Sequence, residues 1–173
     1  EISCSLVGSE MCIRDSYIFV ITDNLSTTDP MDTGSSVLSS LLYQKKQQAG
    51  RLGISCDIDI QISHVAIDDF SITTIIGNLF DNAITAAQKC SSPWVRASLS
   101  QSGSYLELTI DNCHCEKIKE KNGEFATTKK DKNLLHGIGI KNVRKVVSDL
   151  NGQIDISYTD DTFHVGILLP NYE

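Results

Sequence analysis

No apolar run in this sequence approaches the roughly 20 residues needed to cross a bilayer, so no membrane span is expected within its 173 residues. The charged and apolar regions of a secretory signal are absent as well. Basic charge is in deficit: 15 Lys and Arg face 22 Asp and Glu, a net charge of −7. That balance argues against a nucleic-acid footprint, which needs a basic face. The six cysteines (Cys4, Cys12, Cys56, Cys90, Cys113, Cys115) show no paired framework, and reduced thiols in a cytoplasmic protein are the expected state. Cys113-His114-Cys115 invites a metal reading. Adjacent residues on an extended chain point to opposite sides, however, and no second CxxC or HxxxH completes a tetrahedron. No internal repeat is visible.

What is present is an ordinary globular composition, 40% hydrophobic and 21% charged, on a chain long enough for one domain with a real core. Residues 5–16, SLVGSEMCIRDS, resemble the translation of a transposase adaptor used in sequencing-library preparation. Residues 1–16 are therefore read as an assembly artefact and left out of the fold reasoning, as a tag would be.

Periodicity organises the rest. A polar loop through DNLSTTDPMDTG precedes an amphipathic helix over 35–49, with Val37, Leu38, Leu41 and Leu42 on its apolar face and Gly50 closing it. Ile54, Cys56, Ile58, Ile60 and Ile62 alternate with polar residues as in a half-buried strand. Asp68 and Asp69 open a long helix, carrying acids where the helix dipole favours them, and it extends to about Cys90. Two strands, 95–99 and 105–110, flank the turn Gln101-Ser102-Gly103-Ser104. Residues 113–136 show no sustained period and read as a long functional loop. A helix follows Gly137-Ile138-Gly139 and ends at Asn151-Gly152. Strands at 153–158 and 162–169 close the chain. Hairpin-linked strands with helices collected between them predict an α+β fold: a two-layer α/β sandwich with a mixed sheet covered on one face by helices.

Within the long helix, IIGNLFDNAITAAQ combines an apolar face with a row of polar residues, Asn78, Asp81, Asn82 and Thr85. Asparagine is a mediocre helix former, so two of them a turn apart in mid-helix call for a reason. Two further features stand downstream: the pair Asp111-Asn112 closing a strand, and a loop ending in Gly137-Ile138-Gly139 at a helix start. Glycines there let backbone N–H groups approach an anion, and the helix terminus adds partial positive charge. Between Lys117 and Lys132 the loop carries six lysines (117, 119, 121, 129, 130, 132) against three acids, which suits a polyanion.

Taken in order, NLFDNAITAAQ, TIDN, TTKKDKNLLHGIGIKNV, NG and FHVGILLP resemble the GHKL (Bergerat-fold) ATP-binding domain of sensor histidine kinases. They look most like the Agr-type, peptide- and quorum-sensing branch. The resemblance covers about 32–170 and divides the chain into the adaptor-like 1–16, a loop with the remnant of the last dimerisation-domain helix over 17–50, and the ATP-binding domain over 51–173.

The resemblance implies ATP and magnesium (Mg²⁺) as cofactors. Asn82 matches the position whose side-chain oxygen holds Mg²⁺ against the nucleotide phosphates, which fits a cation that takes few protein ligands. Asn78 stands where hydrolysing relatives such as gyrase carry a glutamate base; an amide cannot take a proton at neutral pH and so cannot activate water. Asp81 is the candidate for polar support or base-like assistance. Asn112 matches the contact to the adenine base, with Asp111 as the alternative if the register slips by one; period-2 alternation through Leu108 and Ile110 favours Asn112 facing the pocket. His136, Gly137, Ile138, Gly139 and Asn142 match the second glycine box. The first glycine box departs from the pattern, reading NCHCE with no glycine. Lys141 reaches either phosphate or solvent.

The implied reaction is transfer of the ATP γ-phosphoryl group to a histidine on an upstream helix. Of His64, His114, His136 and His164, none lies on the 35–49 helix. The acceptor is therefore expected from the dimerisation and phosphoacceptor domain, with a response regulator as the downstream partner. The full-length protein is expected to be a homodimer anchored in the bacterial cell membrane, with this domain cytoplasmic and touching neither membrane nor nucleic acid. The rival readings are an anti-sigma-type serine kinase or ATPase, and a degenerate GHKL module that docks partners without nucleotide.

Overall fold

The computed structural model describes residues 31–62, 64–115, 119–121, 124–126 and 138–172. The adaptor-like stretch 1–16, the loop to residue 30, and the candidate residues His136 and Gly137 lie outside the described residues.

Helix α1 (Ser36–Arg51) starts where Ser35 Oγ accepts the Leu38 amide at 3.2 Å. The cap is braced from both sides. Buried Thr33 donates to the Ser35 carbonyl at 2.9 Å, and Ser35 Oγ donates to Asp69 Oδ1 at 2.8 Å. The helix does not stop at Gly50, as the sequence suggested, but runs on to Arg51; the left-handed turn falls at Gly53, φ 71°. A glycine inside a last turn costs helix stability without ending it, whereas a positive φ requires glycine's freedom. Leu38 and Leu42 are fully buried in the same core as the rest of the domain, so the helix assigned from sequence to an upstream hairpin packs here.

Strand β1 (Ser55–Gln61) alternates as its isoleucines predict. Helix α2 (Asp69–Ala87) is capped by Asp68, whose carboxylate accepts the Ser71 amide at 2.9 Å. It turns its apolar stripe, from Ile72 and Ile75 through Phe80 to Ala87, fully into the core. Each such side chain contributes about 1.5–3 kcal/mol of burial, which is why this helix tolerates polar residues along its remaining face.

Strands β2 (Trp94–Ser102) and β3 (Tyr105–Cys113) are longer than the sequence suggested and leave only Gly103-Ser104 as the turn. Gly103 has φ 59°, the glycine-first geometry of a tight hairpin. Within the span read as an aperiodic loop, β4 (Lys119–Lys121) and β5 (Glu124–Ala126) form a short antiparallel pair. Helix α3 (Ile138–Asp149) follows, then β6 (Gln153–Tyr158) and β7 (Thr162–Pro170). At the end of α3 it is Asn151, φ 56°, that takes the left-handed conformation. Gly152 serves a different need: a Cβ there would stand 2.5 Å from Leu169 Cδ2 and 2.7 Å from the Leu168 carbonyl oxygen.

The main sheet has the order β1-β2-β3-β7-β6, with β1 and β2 parallel and every other pair antiparallel. The parallel pair needs a crossover, and α2 supplies it. One face of the sheet is buried through Val95, Ala97, Leu99, Leu106, Leu108, Ile110, Val165, Ile167 and Leu169 against the helices; the other alternates polar and half-buried. This is the expected α+β, two-layer arrangement with a mixed sheet.

Candidate functional site

The polar residues of α2 divide by where they point. Asn78 Nδ2 donates to the Thr74 carbonyl at 2.7 Å, one turn back, so the amide is held with Oδ1 as its outward acceptor. Asn82, exposed, stands one turn further along. Both meet the start of α3 at Gly139: a Cβ there would lie 3.2 Å from Asn82 Nδ2, 3.3 Å from Asn78 Oδ1 and 3.6 Å from Asn82 Oδ1. Gly139 of the second glycine motif thus packs against the asparagine pair closely enough that a side chain at 139 would press on both amides. Two amide oxygens and a helix N-terminus meet there, a donor set suited to a hard cation and to anionic oxygen together. The residues present fit a magnesium–phosphate group.

Asp81 is directed elsewhere. Its Oδ1 receives Lys45 Nζ from α1 at 2.6 Å, with Lys45 only 12% exposed and Asp81 58%. The single polar row expected from sequence therefore splits: two amides face α3, while the carboxylate is tied to α1. Thr85 Oγ1 donates back to the Asp81 carbonyl at 2.6 Å. Lys45 went unnoticed in the sequence because it sits among the Lys/Gln-rich residues of an ordinary solvated face.

Asp111 and Asn112 separate more completely. Asn112 lies on the helix-facing side with Leu106, Leu108 and Ile110 and is 4% exposed. Its Nδ2 donates to the Cys113 carbonyl at 2.8 Å, which orients Oδ1 as the amide's acceptor. Asp111 lies on the opposite side of the sheet and its Oδ1 meets His164 Nδ1 at 2.6 Å, its register partner on β7. The alternation argument for Asn112 over Asp111 thus agrees with the strand geometry.

Among the remaining candidates, Ile138 is the first residue of α3 and Asn142 is exposed one turn on. His114, expected on the loop, is instead anchored to the β6–β7 turn: its amide donates to Asp161 O at 2.9 Å and its Nε2 lies 3.0 Å from Thr159 O. His64 is exposed between β1 and α2, where its carbonyl accepts Asn171 Nδ2 at 3.2 Å. The glycine-free NCHCE box is built from thiols. Cys113 is buried at the end of β3, where its sulfur accepts the Trp94 amide at 3.2 Å; Cys115 Sγ donates to the Lys89 carbonyl at 3.1 Å.

A family model described as a GHKL domain matches residues 67–170. Among solved structures, the fold is similar to the catalytic domain of histidine kinase ThkA in a nucleotide-free form, at 18% identity and TM-score 0.61 over 78% of this chain and 92% of that one. It is also similar to Acinetobacter baumannii histidine kinase AdeS, at 15% identity and TM-score 0.59 over 95% and 79% of the two chains. Mycobacterial sensor histidine kinase MprB aligns at 16% identity and TM-score 0.59 over 78% and 95%. No curated protein matches the chain in sequence.

Proposed function

The chain belongs to the GHKL domain family, and on that premise we propose that it is the ATP-binding catalytic domain of a two-component sensor histidine kinase, of the Agr-like branch. The observation that supports this reading is the close approach of Gly139 to the Asn78 and Asn82 amides, where a Cβ would press on both. Asn82 Oδ1 holds Mg²⁺, Gly137, Ile138 and Gly139 with the α3 N-terminus receive phosphate, and His136 and Asn142 flank them. Asn112 Oδ1 accepts from the exocyclic amine of adenine at the buried end of the pocket. The metal–nucleotide pair, when bound, supplies a γ-phosphoryl group whose developing charge the cation neutralises.

The chain's own residues do the rest. Asn78, an amide bound to Thr74 O, orders the entrance without acting as a base, so water is not activated in competition with the acceptor. Asp81 supports the site indirectly by holding Lys45 and with it α1; it acts as a positioning residue. The acceptor histidine comes from a dimerisation domain, and a response regulator receives the phosphoryl group next. No helix among the described residues is long and apolar enough to cross a membrane, and membrane attachment of the full-length homodimer, through other segments, belongs to the same proposal.

Isothermal titration of the reduced protein with a non-hydrolysable ATP analogue and Mg²⁺ tests the reading. Saturable binding that disappears on chelation is expected. Absence of binding at millimolar nucleotide would remove it, and would favour the alternative that the thiol-built NCHCE box makes specific: a GHKL module that docks partners without nucleotide.

A further inference from the structure

Cys90 and the pair Cys113 and Cys115, distant from it in sequence, come together where the end of α2 meets the end of β3. Cys113 and Cys115 are two residues apart on extended chain and so turn to one side, while His114 between them is tied to the β6–β7 turn. On that side stands the turn after α2. Cys115 Sγ donates to the carbonyl of Lys89 at 3.1 Å, and the next residue is Cys90. The Cys90 thiol donates to the Ala86 carbonyl at 3.9 Å on the last turn of α2, with Cys113 and Cys115 as its neighbouring sulfurs. Accessibility distinguishes the three: Cys113 is buried, Cys90 half-buried and Cys115 exposed. Cys113 is also engaged as the acceptor for the Trp94 amide. Among the described residues no three His, Cys, Asp or Glu side chains are arranged to hold a metal ion.

We propose that Cys115 and Cys90 are a site of reversible oxidation by peroxide, Cys115 being the thiol that is attacked first and Cys90 the one that resolves it into a disulfide. In the first step the Cys115 sulfur takes one oxygen from hydrogen peroxide, giving a sulfenic acid and one water. In the second the Cys90 sulfur displaces that hydroxyl as a second water, forming the S–S bond. Two electrons leave the two sulfurs and reduce the peroxide, and a dithiol reductant returns two electrons and two protons. The order follows from environment. Burial, and then the two neighbouring sulfurs, push the Cys90 pKa up to about 12, so Cys90 remains a thiol while the exposed Cys115 meets the oxidant.

The bridge reaches the pocket through one bond. It draws Cys115 off the Lys89 carbonyl and loads the strand end whose Cys113 carbonyl holds the Asn112 amide. This consequence rests on the nucleotide reading of Asn112; the bridge itself does not.

The test treats the reduced protein with stoichiometric hydrogen peroxide, blocks free thiols, digests with trypsin and maps peptides without reductant. Cleavage after Lys89, Arg96 and Lys117 puts Cys90 in residues 90–96 and both Cys113 and Cys115 in 97–117. The expected product is these two peptides joined, lighter by two hydrogens than their sum, split by dithiothreitol and absent from Cys115→Ser. A bridge that persists in Cys115→Ser, or Cys115 passing to sulfinic acid with no bridge, overturns the proposal. Affinity for the ATP analogue is expected to fall several-fold on bridging, to recover with reductant, and to be insensitive to peroxide in Cys115→Ser; unchanged affinity at full bridging overturns the link to the pocket. If the reduced protein binds no nucleotide, the functional reading fails while the peptide map still decides the bridge.

Discussion

Asp81-Asn82 in the middle of α2 and Asp111-Asn112 at the end of β3 are the same dipeptide on two kinds of backbone. In both, the amide is turned toward the proposed pocket and the carboxylate is paired with a basic side chain, Lys45 in one case and His164 in the other, each at 2.6 Å. They reach this result differently. A strand sends successive side chains to opposite faces, so the whole sheet separates Asp111 from Asn112. A helix turns only about 100° per residue, so Asp81 stays on the same flank as Asn82 and is drawn aside by a lysine from another helix. The separation of carboxylate from amide is set by strand geometry on β3 and by an ion pair on α2, and the second is the one a single substitution can undo.

The comparison breaks or sharpens with five substitutions. The largest effect is expected from Asn82→Ala: a hydrogen bond to a charged group is worth about 1.5–3 kcal/mol, or roughly 10–100-fold in affinity. The melting temperature should hardly move, because Asn82 is exposed. Next comes Asn112→Leu, which keeps the volume and removes the buried amide; titration should show roughly ten-fold weaker adenine-nucleotide binding, an order set by one lost hydrogen bond, and loss of preference over a guanine analogue. Retained preference would mean that Asn112 does not read the base. Gly139→Ala should separate stability from binding. Alanine gains up to about 1 kcal/mol in a helix, yet its Cβ would press on Asn82 and Asn78 at 3.2 and 3.3 Å, so thermal stability should hold or rise while nucleotide affinity drops several-fold. Asp81→Ala should cost about 1 kcal/mol or less in chemical denaturation, leaving a mostly buried Lys45 without its partner, with an affinity loss smaller than that of Asn82→Ala. An affinity loss as deep as that of Asn82→Ala would put Asp81 in the pocket and end the contrast. Smallest of all, Asp111→Asn should shift stability by roughly 0.2–1 kcal/mol, the range of exposed pairs, with nucleotide binding intact.

What the sequence disclosed and what it withheld follow from the range of the interactions. Alternation from Ile54 to Ile62 and the apolar stripe of α2 are local patterns, and β1 and α2 lie where these patterns put them. Parity along β3 sufficed to place Asn112 on the helix-facing side of the sheet and Asp111 on the other. The ends of elements were less legible: Gly50 resembles a stop, but the conformational demand falls on Gly53, which only the backbone reveals. The partners of the two carboxylates were not legible at all. Lys45 is 36 residues from Asp81, and His164 is 53 from Asp111; both pairings depend on how helices and strands dock. The same limit applies to α1, since an amphipathic pattern states that a face will be buried without saying against what. The three thiols likewise joined into one cluster only through tertiary structure.

Among the described residues, the strand order leaves β1 and β6 at the two margins of the main sheet. Unpaired strand margins are templates on which another chain can add, and the run Ile54-Ser55-Cys56-Asp57-Ile58-Asp59-Ile60, rich in β-branched residues, would invite it. Asp57 and Asp59 on one margin and Asp155 on the other are exposed and point away from the core. A second molecule approaching edge-on would stack like charges against like. Charged side chains on sheet margins disfavour such addition, and these aspartates carry that charge on both margins.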